Sequence, residues 1–398
     1  MTETLTVDLM SGDFYADDPH AAWAWMRRHE PVYHDEANGI WGVTRYADVR
    51  ALSLDPATFS NAEGVRPKFY AMPMMIETDP PIHTRRRKLV SAGFTPRRVA
   101  GLTNHIGAVC DEVLDAVCER GACDFVHDIA AQLPLIMIGD LLGVAPEVRP
   151  DLLRWSDDML RSQGQPDEES MAAASTAFIE YSEYLIPVIA ERRASGRTDD
   201  LIGILTNAEI DGDRLTEDDL IFETLLILIG GDETTRHVLS GGMLALQEHP
   251  AQLAALQAHA GRIPRAVEEM LRWVSPIQDM VRTTTRKVTV GDVELDEGSQ
   301  LMLFYPSANR DEEVFDVPDA FDIDRNPNPH LAFGLGSHFC LGNQLARLEL
   351  SVMFERLFAR LPDLRLVPDA PRPRRPSNFV AGLESLPVEF TPSAPVGG

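Results

Sequence analysis

AFGLGSHFCLGNQLARLEL, residues 332–350, sets Gly334, Gly336 and Gly342 around a single thiol, Cys340, directly before a run of strong helix formers. Glycine admits backbone conformations with positive φ and lets another group approach the main chain closely, which a side chain resists. Leu341, Leu345, Leu348, Val352, Leu357 and Leu361 follow at three-to-five-residue spacing, so an amphipathic helix is predicted to begin at the cysteine, with its end amides beside the sulfur. Such amides carry partial positive charge and favour thiolate over thiol.

A lone thiolate held this way suits a metal that takes one protein sulfur and draws its other ligands from elsewhere, as haem iron does. The plain alternative is a glycine-rich turn with an incidental buried cysteine. Zinc is poorly supported, because paired C-x-x-C spacing is absent and His338 is the one histidine close to a cysteine. Cys110, Cys118 and Cys123 read as small buried hydrophobes, with Cys123 beside Gly121 the candidate for exposure, and no disulfide framework is expected.

The chain has 398 residues, 44% hydrophobic and 25% charged, with a formal net charge of −26. That composition predicts a globular core, and the charge disfavours nucleic acid and anionic membrane surfaces as partners. No basic, apolar leader is read at the N-terminus, and the most apolar run, Leu225–Gly231, is far short of the ~20 residues that cross a bilayer, so a cytoplasmic location and no transmembrane segment are expected.

Asp18–Pro31 reads as a capped helix, Gly39–Val49 as a strand running into a helix, and Ala71–His83 as a proline-punctuated connection. From Ile82 to about Ala190 the pattern is mostly helical, with a break at GAC (residues 121–123). Thr216–Pro250 is the longest helical candidate, opened by a Thr-x-x-Asp cap. Residues 281–311 alternate like antiparallel strands, and the C-terminal segment reads as loop and short strands. A mainly α fold with small antiparallel β-sheets follows, in one domain.

Within the long helix lies LIGGDETT (residues 228–235). Two interior glycines each cost up to ~1 kcal/mol relative to alanine, so something there needs space. Glu233 and Thr234 then place a carboxylate and a hydroxyl beside the gap, and a threonine that bonds a carbonyl one turn back opens the helix locally. Proton delivery needs such a groove, although a kinked core helix with a solvated acidic pair has the same letters. In EEMLRW, Glu269 and Arg272 pair on one helix face as an ordinary bridge would. In HTRRRKLV, His83 and Arg87 share a face as a clamp on carboxylates would, or as part of a basic solvated surface.

Phe333, Gly336, His338, Cys340 and Gly342 fit F-x-x-G-x-H-x-C-x-G, the haem-binding signature of cytochrome P-450 enzymes, and the chain resembles that family over nearly its whole length. The resemblance implies a single domain over residues 1–398, with haem b between the long helix and the cysteine loop. It implies Cys340 as axial iron ligand, Phe333 in the haem-binding loop, and Gly230 and Gly231 facing haem and oxygen. Glu233 and Thr234 match the acid–alcohol pair that routes protons. His83, Arg87, Arg282 and His338 match propionate partners, and Glu269, Arg272 and Arg325 match the structural set behind the cysteine loop.

Longer strings, PMMIETDPP, RRKLVSAGFT, ETLLILIGGDETTRHVLSGG and HLAFGLGSHFCLGNQLARLELS, look like actinobacterial sterol side-chain hydroxylases. The narrower resemblance implies oxidation of the terminal methyl of cholesterol or cholest-4-en-3-one, using O2 and electrons from a ferredoxin and its NAD(P)H-dependent reductase. The cavity candidates are Met72, Met74, Met75, Ile76, Leu226, Ile229, Ile277, Gln278, Met280, Phe379 and Val380. Arg85, Arg86, Arg97, Arg98 and Arg347 are the expected docking patch for the ferredoxin. Other lipid substrates such as a fatty acid or another steroid, a peroxide-driven enzyme, and a haem-thiolate sensor without turnover are the alternatives.

Overall fold

Residues 5–164, 167–210 and 212–396 are described by a computed structural model. Its frame is the helix Glu217–Glu248, whose 32 residues span about 48 Å. The predicted cap is present: Thr216 accepts from the Asp219 amide while the Asp219 carboxylate accepts from the Thr216 amide. Buried residues occur all round this helix, Leu220, Leu228, Val238 and Leu246 among them, so it runs through the core. Helices Gln132–Leu142 and Ile263–Val274 flank it, and helix Asn343–Arg360 packs against Ile263–Val274.

The predicted first helix is shorter than its cap signal suggested. It runs His20–His29 with Pro19 at its start, and the Asp18 carboxylate accepts from the His20 amide at 3.4 Å. The break at GAC is a strand, Ala122–Asp124, paired with Pro387–Glu389, which also pairs with Arg365–Leu366. The largest sheet runs in the order Val32–Asp35, Ile40–Val43, Gln300–Phe304, Asp279–Thr284, Phe59–Ser60. Its pairings are antiparallel except one: Ile40–Val43 lies parallel to Gln300–Phe304, with Trp41 opposite Leu301. Strand alternation reports which face is buried but not the direction of a partner hundreds of residues away, so the sequence offered no sign of it.

Among the described residues, the stretch long and apolar enough to cross a membrane is Phe125–Leu142, and 72% of it is buried inside the protein. It is core, packed under the long helix.

Glu269 and Arg272 are not a surface bridge. Both are buried, paired through Nε–Oε2 at 2.8 Å and Nη2–Oε1 at 2.7 Å. Arg325 Nε adds a contact to Glu269 Oε2 at 3.1 Å, and the Asp322 amide donates to Oε1 at 2.9 Å. Arg272 also donates to the carbonyls of Asn309, Pro318 and Ala320. Helix Ile263–Val274 is thereby fastened to the segment that leads into the cysteine loop.

Removing one member leaves a buried charge unpaired, so Glu269→Ala is expected to cost roughly 3–5 kcal/mol. Urea unfolding checks it, and a midpoint equal to the parent's contradicts it.

Candidate active site

A cavity with about 1560 Å³ of atom-free space, open at its mouth, lies between the long helix and the cysteine loop. Three kinds of wall meet there.

The first wall is the loop. Gly334 and Gly336 take left-handed φ of +65° and +69°, and a Cβ on Gly336 would lie 2.6 Å from the Ser53 carbonyl oxygen, so glycine is required there. The Cys340 amide donates to the Phe333 carbonyl at 2.9 Å, and Asn343 Nδ2 donates to the Cys340 carbonyl at 2.7 Å. Regular helix begins at Asn343, three residues later than predicted. The amides of Gly342 and Asn343 reach the sulfur, and Arg87 and Arg347 are the nearest cations. Burial nevertheless outweighs them and raises the thiol above its ordinary range. The amides do pull the thiol down, as expected at a helix end, and burial has the larger effect on this sulfur. Phe333 stands beside it, under the Arg347 guanidinium at 4.5 Å.

The second wall is basic. His83, Arg87, Arg282 and His338 converge on one end of the cavity. The two imidazole rings lie 4.1 Å apart. Both nitrogens of His83 and Nε2 of His338 are buried without a hydrogen-bond partner. Burial, then the neighbouring cations, lowers both, His338 to about 3. Arg87 donates to the Phe339 carbonyl, and Arg282 to the Val281 carbonyl and the Tyr305 hydroxyl. Among the described residues, none of the four makes an ion pair.

The third wall is the long helix. Gly230 faces open space, whereas a Cβ on Gly231 would lie 2.6 Å from Ile138 Cδ1, so the second glycine serves helix packing as well as the cavity. Thr234 lines the cavity and donates from Oγ1 to the Gly230 carbonyl at 2.8 Å. The helix stays regular through this point. Glu233 does not line the cavity. It is buried in an ion cluster with Arg236 and with Arg375 Nη1 at 3.1 Å, while His237 Nε2 lies 3.0 Å away on an imidazole that burial keeps uncharged. Arg236 continues to Asp157, which is part-exposed at the surface.

Of the predicted apolar candidates, Met75, Ile76, Leu226, Ile277 and Met280 line the cavity. Met72, Met74, Ile229, Gln278, Phe379 and Val380 are not among its lining. Met74 is core, and Phe379 lies beneath the Arg66 guanidinium at 3.3 Å. The Gln278 amide group donates to the carbonyls of Ser275 and Pro276. Phe94, Pro134, Ile138 and Val238 line it without having been anticipated. So does Glu349, a buried carboxyl pushed up to about 8 by burial and by Asp232. Its spacing of four from Leu345 put a carboxylate on the apolar helix face, and that was the available signal.

The expected basic docking patch is largely neutralised. Arg347 is bidentate to Glu268, Arg85 pairs with Asp213, and Arg86 is tied to Asp219 and Glu223. Arg97 and Arg98 remain exposed on helix Pro96–Gly101. Cys123 is half-buried and its thiol is pushed up to about 12 by burial.

A sulfur and a cluster of basic groups, two of them imidazoles with unpartnered nitrogens, line one cavity as a haem-thiolate site requires, and the comparisons agree. Residues 137–389 match the family model for cytochrome P-450. The chain is 53% identical over 401 residues to a steroid C26-monooxygenase of Mycolicibacterium smegmatis, covering all of both chains. It is 52% identical over 400 residues to one of Mycobacterium tuberculosis, again covering all of both. Among solved structures it resembles the cytochrome P-450 CYP109Q5 of Chondromyces apiculatus, with TM-score 0.88 and 37% identity, covering 98% of this chain and 99% of that one. It also resembles CYP109E1 of Bacillus megaterium in complex with testosterone, with TM-score 0.86 and 32% identity, covering 94% and 99%.

The chain belongs to the cytochrome P-450 family. It is a haem-thiolate monooxygenase, working with O2, a substrate and a source of electrons. The residues present fit the cofactor: the orphaned nitrogens of His83 and His338, with Arg87 and Arg282, are the donor set that two carboxylates need, and the sulfur is held where one thiolate ligand is needed.

The two helix glycines separate experimentally. Gly231→Ala forces overpacking against Ile138 and is expected to cost about 1–3 kcal/mol. Gly230→Ala, facing open space, is expected to stabilise the helix by roughly 0.5–1 kcal/mol. Equal thermal shifts for the two would refute this assignment.

Proposed function

We propose that this protein hydroxylates the terminal methyl of a sterol side chain, cholesterol or cholest-4-en-3-one, with Cys340 as the axial ligand of haem b. The observation that carries it is the conjunction of one cavity-facing sulfur, a donor cluster without an anion, and an apolar wall. The full-length identity to steroid C26-monooxygenases supports the substrate class. Bound haem supplies the activation of O2 that makes an unactivated C–H bond reactive.

The chain's own groups do the rest. His83, His338, Arg87 and Arg282 hold the two propionates, and Phe333 packs beside the sulfur. Met75, Ile76, Leu226, Ile277 and Met280 bind by apolar contact and exclude water, so orientation comes from shape. Thr234 Oγ1 lies on the cavity wall with its hydrogen donated to the Gly230 carbonyl, so offering that proton to the cavity needs a turn of the hydroxyl. Glu233 is held as an acceptor by Arg236 and Arg375, and proton delivery to Thr234 needs a turn of its carboxylate toward the cavity. One domain carries all of this, in the cytoplasm, with electrons from a ferredoxin and its NAD(P)H-dependent reductase.

The ferrous–CO spectrum of the parent is expected to show the strongly red-shifted Soret band of thiolate ligation, and Cys340→Ser to lose it. Conversion of cholest-4-en-3-one is expected to require ferredoxin, reductase and NAD(P)H together. Peroxide alone sustaining it, or no conversion at all, overturns the reading. Reversing charge at Arg97 and Arg98 is expected to slow reduction by ferredoxin roughly tenfold at low salt and leave sterol affinity unchanged. Stopped-flow reduction measures this, and an unchanged rate removes those two residues from the docking face.

A further inference from the structure

We propose that Arg86 and Glu223 are positioning residues that set the width of the substrate slot, by tying the loop that carries Met75 and Ile76 to the long helix. The proposal rests on the cavity being the substrate site and adds which residues shape it.

A single turn of 3-10 helix, Met75–Glu77, is flanked on both sides by extended residues. The Met72 amide donates to the Glu77 carboxylate and Asn61 Nδ2 to the Ile76 carbonyl at 2.9 Å, so part of the loop is held locally. Its tie to the long helix comes from elsewhere. Arg86, on helix Ile82–Ser91, donates from Nη1 to the Pro73 carbonyl at 2.6 Å and to Glu223 Oε1 at 3.3 Å, and from Nη2 to Asp219. The Met75 amide faces the Glu223 carboxylate and pulls it downward against burial. One guanidinium and one carboxylate therefore close a ring from helix to loop to long helix.

The geometry gives the ring a consequence for binding. Glu223 stands one turn before Leu226 and Ile227, which line the cavity, and the group it grips is the backbone of Met75, which lines it too. Fixing Glu223 to Met75 fixes the separation of those apolar surfaces. Glu223 is fully buried, and its Oε2 has no partner. Neither residue touches the reacting region at Thr234, so both act through the loop.

Burial raises Glu223 to about 7 against the opposing pull of Arg86, and Arg86 and Asp219 are the charged groups that face it. Above that pH the carboxylate is ionised and grips the guanidinium. As pH falls through it, the carboxyl neutralises and the charge on the tie is lost.

Hydrogen exchange on the holoenzyme tests the tie without any substrate. In Glu223→Gln and Arg86→Ala, amides of residues 70–78 are expected to exchange roughly tenfold faster, the size of losing a hydrogen bond to a charged group, while helix Asn343–Arg360 is unchanged. Arg86→Lys restores part of the protection. The parent's loop loses protection as pH falls through about 7, and Glu223→Gln is flat across that range. The preference for phenylimidazole over imidazole as ligands, read from the Soret shift, is expected to change in Arg86→Ala with imidazole affinity unaltered. Unchanged exchange in 70–78, or faster exchange throughout the protein, overturns the proposal. Failure of cholest-4-en-3-one to bind overturns the sterol reading and leaves these measurements intact.

Discussion

Among the described residues, four basic side chains meet at the cavity without forming an ion pair, and much of the site's behaviour follows from that imbalance. Burying a cation without a partner is costly, and a fold has few ways to bear it. This one leaves both imidazoles uncharged, with His338 lowered to about 3, and gives the two guanidiniums backbone carbonyls instead of anions. A group bearing two carboxylates removes the deficit at once. Arg87 and Arg282 would pair with its carboxylates, and the ring nitrogens of His83 and His338 would gain acceptors that favour their protonated forms. At the sulfur, burial raises the thiol while the amides of Gly342 and Asn343 and the cations Arg87 and Arg347 pull it down. Ligand binding of this kind stabilises the folded state that it requires.

The Glu269 network shows what the protein does when nothing is to be bound. There a carboxylate is equally buried, but it faces Arg272, Arg325, a backbone amide and Asn328 Nδ2, so its oxygens have several donors. A satisfied buried network rigidifies, and a partly satisfied one waits for a ligand. The two sit at opposite sides of the same segment, residues 318–340, and this separates support from chemistry by the state of its hydrogen bonds.

Features that lie within one short window were legible in the sequence. The glycines, thiol and helix of the cysteine loop, the pair at Glu269 and Arg272, the basic pair at His83 and Arg87 and the cap at Thr216 all declare themselves by local spacing. What the letters concealed depends on residues far away in the chain. Gly231 reads as room for a ligand, yet Ile138 takes up that room. Glu233 reads as a cavity acid, yet Arg375, from the C-terminal segment, helps hold it on the other side of the helix. Arg86 reads as one of a row of solvated cations, yet Asp219 and Glu223 claim it. Met74 and Gln278 have the right character for a cavity wall and sit next to the lining residues Met75 and Ile277, but their side chains turn elsewhere, and Phe379 is claimed by the Arg66 guanidinium. Charge and hydropathy name what a residue is able to do, and its tertiary partner decides which of those things it does.

The long helix sets the scale on which these choices are read. Leu226 and Thr234 both line the cavity, and at 1.5 Å per residue they lie about 12 Å apart along the axis. The wall between them is apolar at Leu226 and Ile227 and open at Gly230, with the first hydroxyl at Thr234. A molecule that touches both ends must be extended and apolar along its length, and it must bring its far end to Thr234. Small compact molecules bury too little surface in such a slot to be held in one orientation, whereas a rigid apolar body with a slender tail gains contact along the whole of it at small cost in conformational entropy. The helix thereby selects for length and stiffness before any polar contact is made, and an oxidation at the terminus of a long hydrocarbon skeleton is the outcome that such a slot favours.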